Sequence, residues 1–201
     1  MYENAWKDIV RPLKITSKRH LLGPIERTIS GVKVIRKDLD VSNRNNKNIS
    51  AYLFHSPEFE AEHTIIYLHG NGGSKLEALA LTPLIPKFKI NVVGFDFLGC
   101  GCSDSETLTY GINEVFDIRD VLQEVRKHTP VERVTLWGRS MGALCAIMFA
   151  EMYSYEVNGL VLDSPFRSLS TVIDRIAVQS VALPEFILKP MLYFVKKRAA
   201  K

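Results

Sequence analysis

The segment Gly138-Arg139-Ser140-Met141-Gly142 carries the clearest chemical signal in the chain. It follows the apolar run 134–137 and precedes a run of small and apolar residues, 143–150. A G-x-S-x-G sequence between a strand and a helix is typical of a nucleophile elbow, a strained turn that lifts a serine out of the sheet. The helix N-terminus and the N–H of Met141 favour developing negative charge at this point. We therefore predict that Ser140 is a nucleophile.

Two other predicted strand ends carry glycine-rich loops, His69-Gly70-Asn71-Gly72-Gly73-Ser74-Lys75 and Asp96-Phe97-Leu98-Gly99-Cys100-Gly101-Cys102-Ser103. The first departs from the G-x-x-x-x-G-K-[ST] order of a phosphate-binding loop. The second lacks the third glycine of the dinucleotide fingerprint and follows a later strand. The chain also has no CxxC pair and no Cys/His quartet for zinc. The sequence therefore predicts neither a cofactor nor a metal.

The elements that position these loops follow from the hydrophobic pattern. Short, continuously apolar runs indicate strands that are buried on both faces, as in a parallel sheet covered by helices; they lie at 64–68, 92–93, 134–137 and 160–162. A helical face is predicted over about 112–128, made by Ile112, Val115, Phe116, Val121, Leu122 and Val125. Two antiparallel strands, 32–39 and 49–54, flank the polar turn 43–48. We predict an α/β fold with a mostly parallel sheet and helices on both faces.

Four segments, in this order, resemble the α/β-hydrolase superfamily, and most closely its serine-aminopeptidase-like and depalmitoylase-like branch. They are His69-Gly70-Asn71-Gly72, Asp96 to Ser103, Gly138 to Gly142 and Leu162-Asp163-Ser164-Pro165-Phe166. The likeness covers roughly residues 30–200. We therefore expect an irregular N-terminal segment over 1–24, which ends at a Gly-Pro breaker, and an α/β-hydrolase domain over 25–201.

The resemblance implies a role for each matching residue. Ser140 would accept the acyl group, and the backbone N–H groups of Asn71 and Met141 would form the oxyanion hole. In this family the histidine of the HG pair shapes the loop, so His69 is expected to be structural. Cys100 and Cys102 occupy variable positions between glycines, where small loop residues are the simpler interpretation and a redox or acylation role is the alternative.

The general base is missing from the expected place. Family members carry the acid and then the histidine after the nucleophile, yet all five histidines precede Ser140: His20, His55, His63, His69 and His128. The acids that follow Ser140 are Glu151, Glu156, Asp163, Asp174 and Glu185, and the resemblance implies that Asp163 is structural. Two further strands, whose loops carry the acid and the histidine in relatives, would begin about where this sequence stops. We expect an incomplete domain that lacks those last two strands.

Three interpretations remain open. The chain is a fragment of a serine hydrolase that acts on ester, thioester or peptide acyl bonds, or a natural short form that serves as a non-catalytic binding or decoy module. The third is an enzyme that takes its base from an unexpected histidine or from a partner chain.

Composition and charge limit the partners. The 201 residues are 46% hydrophobic and 24% charged, as in a globular domain, and no apolar run reaches the roughly 18 residues of a membrane span. The absence of a signal-peptide pattern and an odd count of three cysteines predict a cytoplasmic protein with reduced thiols. Residues 1–37 carry nine Lys/Arg against three acids, and residues 167–201 carry seven against two.

These basic ends indicate either solvated lysines or peripheral contact with an anionic membrane, and they do not indicate nucleic-acid binding. The apolar stretch 186–194 beside Lys196, Lys197 and Arg198 favours a small-molecule or acylated substrate of lipid type.

Overall fold

The computed structural model describes residues 19–104 and 107–168. Its strands are β1 (Glu26–Ile29), β2 (Val32–Ser42), β3 (Asn48–His55), β4 (His63–Leu68), β5 (Ile90–Phe95), β6 (Arg133–Arg139) and β7 (Gly159–Asp163). Its helices are α1 (Leu84–Phe88), α2 (Glu114–Arg126) and α3 (Met141–Met152), with 3₁₀ turns at Arg19–Leu22, Lys75–Leu81 and Ser154–Glu156.

Several predictions fall outside the described residues. They concern the irregular segment before residue 19, the apolar stretch 186–194, the basic cluster 196–198, Asp174 and Glu185, and the two further strands. Within the described ranges, no helix has the length and apolar character required to cross a bilayer.

The first three strands form an antiparallel meander. β1 pairs with β2 and β2 pairs with β3, in the register Asp38↔Tyr52 for the second pair. Asn43 shapes the turn between β2 and β3, because its side-chain oxygen accepts the N–H groups of Asn45 at 2.9 Å and Lys47 at 3.0 Å. The predicted strand pair and polar turn are confirmed, with β2 longer than expected. The sequence pattern missed β1, a four-residue edge strand with no buried position.

The sheet order is β1-β2-β3-β5-β4-β6-β7. β5, β4, β6 and β7 run parallel to one another, and β3 joins β5 antiparallel. Because β4 lies between β5 and β6, the carboxyl ends of these three strands meet at one edge of the sheet. The three loops that the sequence singled out follow these three ends.

Alternate strand residues face two separate cores. On one face Ile66 and Leu68 pack with α2 and α3, where Phe149 is fully buried. On the other face Ile65 and Tyr67 pack against the 3₁₀ turn Lys75–Leu81 and α1. Burial of both faces explains the continuous apolar runs. The predicted mostly parallel sheet with helices on both faces is confirmed.

Helix α2 is shorter at its start than the sequence predicted. Its buried face includes Val115, Val121, Leu122 and Val125, as expected, but Ile112 is 66% exposed. The cause is Glu114, whose carboxylate accepts the N–H of Gly111 at 2.7 Å. This bond holds the preceding residues in a turn outside the helix, so the placement of Ile112 on the apolar face was wrong.

Asp117 places a carboxyl on the buried face of α2. Burial raises the pKa of Asp117 to about 7 from an ordinary value of 3.8, although the Asn43 side-chain amide donates to it at 3.5 Å. The folded chain therefore binds this proton more tightly than the unfolded chain does. Between about pH 4 and pH 7 only the folded state carries the proton, so this group makes stability fall as pH rises.

We predict that Asp117→Asn stabilises the protein more at pH 8 than at pH 4. The expected difference in the free energy of unfolding is about 1–2 kcal/mol, a discounted value for a group that retains polar partners. Urea denaturation at both pH values measures it, with the exposed Asp40→Asn as the control. Equal effects of Asp117→Asn at the two pH values would contradict the assigned cause.

Candidate active site

Ser140 occupies a strained turn between β6 and α3. Its φ of 52° and ψ of −112° fall in a region that residues with a side chain rarely adopt. The side chain is half-buried, and helix α3 begins at the next residue, Met141. This is the conformation expected of a nucleophile elbow.

The two glycines that flank the serine are required by close backbone packing. A Cβ on Gly138 would overlap the Gly142 carbonyl oxygen and lie 2.5 Å from the nitrogen of Ala143. A Cβ on Gly142 would overlap the Leu68 carbonyl oxygen and lie 2.8 Å from that of His69. The N-terminus of α3 therefore sits directly against the end of β4, which only glycine at these positions permits.

Strand β7 holds the turn from the other side. The N–H of Ser140 donates to the carbonyl oxygen of Asp163 at 2.8 Å, which continues the pairing of Arg139 with Asp163. The Asp163 carboxylate is exposed and accepts the Ser164 hydroxyl at 2.7 Å. Asp163 thus supports the serine through its backbone.

The loop after β4 passes beside the serine. Gly73 N–H donates to Gly70 O at 2.9 Å and closes a tight turn in which Gly72 has a φ of 73°, a conformation that suits glycine. A Cβ built on Gly70 would lie 3.5 Å from the Cβ of Ser140. The turn therefore carries Asn71 close to the serine, while Met141 supplies an N–H from the first turn of α3. This proximity suits the two predicted donors.

His69 is a structural residue in this loop. It is fully buried, its Nδ1 bonds the carbonyl oxygen of Gly70 at 2.8 Å, and its Nε2 accepts the N–H of Phe97 at 3.1 Å. Burial lowers the pKa of His69 and keeps the ring neutral. With both ring nitrogens engaged, His69 ties the end of β4 to the end of β5.

A buried ion pair between Lys75 and Asp96 braces the same two loops, and sequence reasoning missed it. Lys75 Nζ lies 2.8 Å from Asp96 Oδ2, donates to Ser50 Oγ at 2.7 Å, and sits 4.6 Å from the centre of the Tyr52 ring. Both charged side chains are 0% exposed.

The Asp96 carboxylate is satisfied from three directions. Besides the ammonium group, it accepts the N–H of Lys75 at 2.7 Å and the N–H of Cys102 at 2.9 Å. A Cβ on Gly101 would overlap this carboxylate, which explains the second glycine of the loop. The aspartate that opens this loop was the available sequence signal, but nothing in the sequence identified its lysine partner.

A second ion pair joins the elbow to the 3₁₀ turn Lys75–Leu81. Arg139 donates to Glu77 Oε1 at 3.1 Å, and the Tyr67 hydroxyl donates to Glu77 Oε2 at 2.8 Å. Burial, reinforced by Glu77, raises the pKa of Tyr67 well above its usual value. The variable residue of the G-x-S-x-G segment thus helps to fix the loop beside the serine.

Among the described histidine rings, those of His55, His63, His69 and His128, none forms a hydrogen bond with Ser140. His63 begins β4 and His55 ends β3, which places both at the sheet edge opposite Ser140. His63 Nε2 forms a hydrogen bond with Thr135 Oγ1 at 2.9 Å. Burial lowers the pKa of the His55 ring and of the His63 ring. His128 engages Lys37 at 2.9 Å and Glu124 at 3.1 Å.

The structure also describes Glu151 and Glu156, two of the acids that follow Ser140 in the chain. Glu156 is buried between Arg119 at 3.1 Å and Arg126 at 2.8 Å, and Glu151 is exposed near the end of α3.

Cys100 is buried and Cys102 is exposed, and no disulfide links the cysteines of the described residues. These residues also contain no group of three or more His, Cys, Asp or Glu side chains suited to a metal ion.

The fold and the strained serine turn define the class of protein, and comparison with known families agrees. The chain matches the family model for the alpha/beta hydrolase fold over residues 63–189, and it belongs to that family. The predicted superfamily is thereby confirmed, while its serine-aminopeptidase-like branch stays a prediction.

Similar proteins include hydrolases of different substrate classes. A proline iminopeptidase of Saccharolobus solfataricus is 27% identical over 128 residues, which are 60% of this chain and 39% of that protein. The uncharacterized protein YfhR of Salmonella typhi is 29% identical over 136 residues, or 61% of this chain and 45% of that protein. An esterase structure from Pyrococcus furiosus aligns with a TM-score of 0.71 at 25% identity, over 92% of this chain and 68% of that chain. The chain thus spans less than half the length of these two curated relatives.

Proposed function

We propose that Ser140 is the acyl-accepting nucleophile of a serine hydrolase. The observation that carries this proposal is the positive φ of Ser140 at a strand-to-helix turn, with the Gly70–Gly73 loop alongside. A strained backbone at a serine is costly, of the order of 1–3 kcal/mol, and such strain concentrates at functional sites. The proposed oxyanion hole consists of the backbone N–H groups of Asn71 and Met141.

The proposed reaction is acyl transfer in two stages. The Ser140 oxygen attacks the carbonyl carbon of the substrate, a base takes the hydroxyl proton, and the carbonyl oxygen becomes an oxyanion that the two N–H groups bind. The leaving alcohol, thiol or amine departs with a proton. Water then attacks the acyl-serine by the same route and releases the carboxylic acid.

The proposed substrates are carboxyl esters, thioesters or short peptides, because the fold alone does not select among acyl bonds. An esterase and a proline iminopeptidase among the similar proteins support the first and last of these classes. Lys75 and Asp96 pair with each other and are fully buried, so we assign them no contact with substrate.

The second candidate function is a non-catalytic binding module on the same scaffold. It is supported by the positions of His55, His63, His69 and His128, each of which contacts groups other than Ser140. A module of this kind would bind an acylated ligand at the serine without forming a covalent bond.

Labelling with a fluorophosphonate separates the two candidates. At about pH 9.5 solvent hydroxide can accept the serine proton, so the test does not depend on a histidine. We expect intact-mass spectrometry to show one adduct on the wild-type chain and on the control Ser164→Ala, and none on Ser140→Ala. An unlabelled wild-type chain at both neutral and alkaline pH would overturn the catalytic proposal and favour the binding module.

A further inference from the structure

The loop before α2 places a tyrosine in an unusual backbone conformation. Tyr110 has a φ of 53° and the following Gly111 a φ of 113°. A bulky residue at positive φ is an outlier that persists only where its surroundings impose it. A Cβ on Gly111 would overlap the sulfur of Met148, so α3 packs closely against this loop.

Glu114 imposes this conformation. This residue is 3% exposed, and its carboxylate accepts the N–H of Thr109 at 2.8 Å, the hydroxyl of Thr109 at 2.7 Å and the N–H of Gly111 at 2.7 Å. One side chain therefore clamps the residues on both sides of Tyr110. Hydrogen bonds to a buried carboxylate are among the strongest in proteins, so Tyr110 is held firmly although it lies in a loop.

The clamped tyrosine reaches the proposed oxyanion loop. The side-chain amide of Asn71 donates to the Tyr110 hydroxyl at 2.8 Å, a contact between residues 39 apart in the chain. The Tyr110 ring also meets the ring of Phe166 edge-on, with centroids 6.4 Å apart. Tyr110 thus joins the loop after β4 to the segment after β7.

We propose that Tyr110 is a positioning residue that orients the backbone N–H of Asn71 toward the oxyanion. The inference rests on the proposed function and extends it to a residue that acts through the side chain of Asn71. Asn71 is exposed at the tip of its turn, so a rigid hydroxyl beside its side chain restrains the turn. Pre-orientation of a donor matters most when negative charge develops, which affects the rate of reaction more than ligand binding.

The test separates these two effects by measuring fluorophosphonate labelling of Ser140 as kinact and KI. Tyr110→Phe removes the neutral hydrogen bond from the Asn71 side-chain amide, for which we expect about a 3- to 10-fold decrease in kinact with KI unchanged. The control is Tyr155→Phe, because Tyr155 is 77% exposed and belongs to the 3₁₀ turn Ser154–Glu156 instead of this loop. An unchanged kinact in Tyr110→Phe, or an equal loss in Tyr155→Phe, would overturn the inference.

A double-mutant cycle excludes a general structural effect. In an Asn71→Ala background, the Tyr110 hydroxyl has no side-chain amide from which to accept a hydrogen bond. Tyr110→Phe should therefore produce no further decrease in kinact in that background. Additive losses would overturn the positioning role. Absence of labelling in the wild-type chain would instead defeat the proposed function, and the inference with it. Amide NMR provides an independent readout, since Tyr110→Phe should shift the Asn71 side-chain resonances.

Discussion

Replacement of Lys75 by methionine is expected to lower the free energy of unfolding by about 3–5 kcal/mol. Methionine retains most of the aliphatic stem but leaves the Asp96 carboxylate buried without its counter-charge. Two backbone N–H groups still bind that carboxylate, yet they do not neutralise it. The substitution therefore leaves an unpaired buried charge. The resulting loss in the free energy of unfolding exceeds the net stabilisation that most ion pairs provide.

The matched control is Lys33→Met on β2, opposite the edge strand β1. Lys33 pairs with Glu26 at 2.7 Å, but both side chains are about half exposed, at 45% and 59%. Solvent screens such a pair, and its loss should cost less than about 1 kcal/mol. Urea denaturation of both variants measures the contrast. Similar losses for the two lysines would show that the buried pair does not brace the loops as described.

Gly142→Ala is expected to destabilise the protein by about 2–3 kcal/mol, even though alanine is the better helix former. The propensity gain is at most about 1 kcal/mol. Against it, the new methyl group would overlap the Leu68 carbonyl oxygen and crowd that of His69. The backbone of a central strand cannot change conformation as a side chain can, so α3 must shift instead. Overpacking of this kind typically costs about 1–3 kcal/mol or more in stability.

Gly159→Ala provides the comparison. A Cβ there would lie 3.1 Å from the Thr135 hydroxyl oxygen and no closer to any other atom outside the neighbouring residues. The Thr135 side chain can move slightly to make room, so we expect the free energy of unfolding to change by less than about 1 kcal/mol. The Gly142 variant should also lose labelling of Ser140, because the shift of α3 moves Met141. Normal stability of Gly142→Ala, measured by thermal and urea denaturation, would contradict the packing of the elbow.

The elbow could be predicted from sequence because its physical requirements are local. Gly138 and Gly142 leave room for backbone contacts, and the apolar runs on either side identify a strand and a helix. The order of strands β4, β5 and β6 could not be derived in detail, but the position of loops at their carboxyl ends followed from a parallel sheet.

The contacts that hold the loops in place could not be predicted, because each contact joins two residues that are far apart in the sequence. Lys75 and Asp96 are 21 residues apart, and Asn71 and Tyr110 are 39 apart. Hydrophobic periodicity indicates which residues are buried but not which buried charges meet. The error at Ile112 has the same origin, since the helix start is set by the contacts of Glu114 rather than by the apolar period.

Transfer of an acyl group to Ser140 is the most direct test of the proposed chemistry. The chain is mixed with p-nitrophenyl butyrate at about pH 9.5, where hydroxide can replace a general base, and the modified peptide is located by tandem mass spectrometry. We predict that a butyryl group forms on Ser140 faster than on any other serine, and that Ser140→Ala removes this fast modification. Acylation spread over surface serines and lysines, with Ser140 unmodified, would contradict the assignment of Ser140 as the nucleophile.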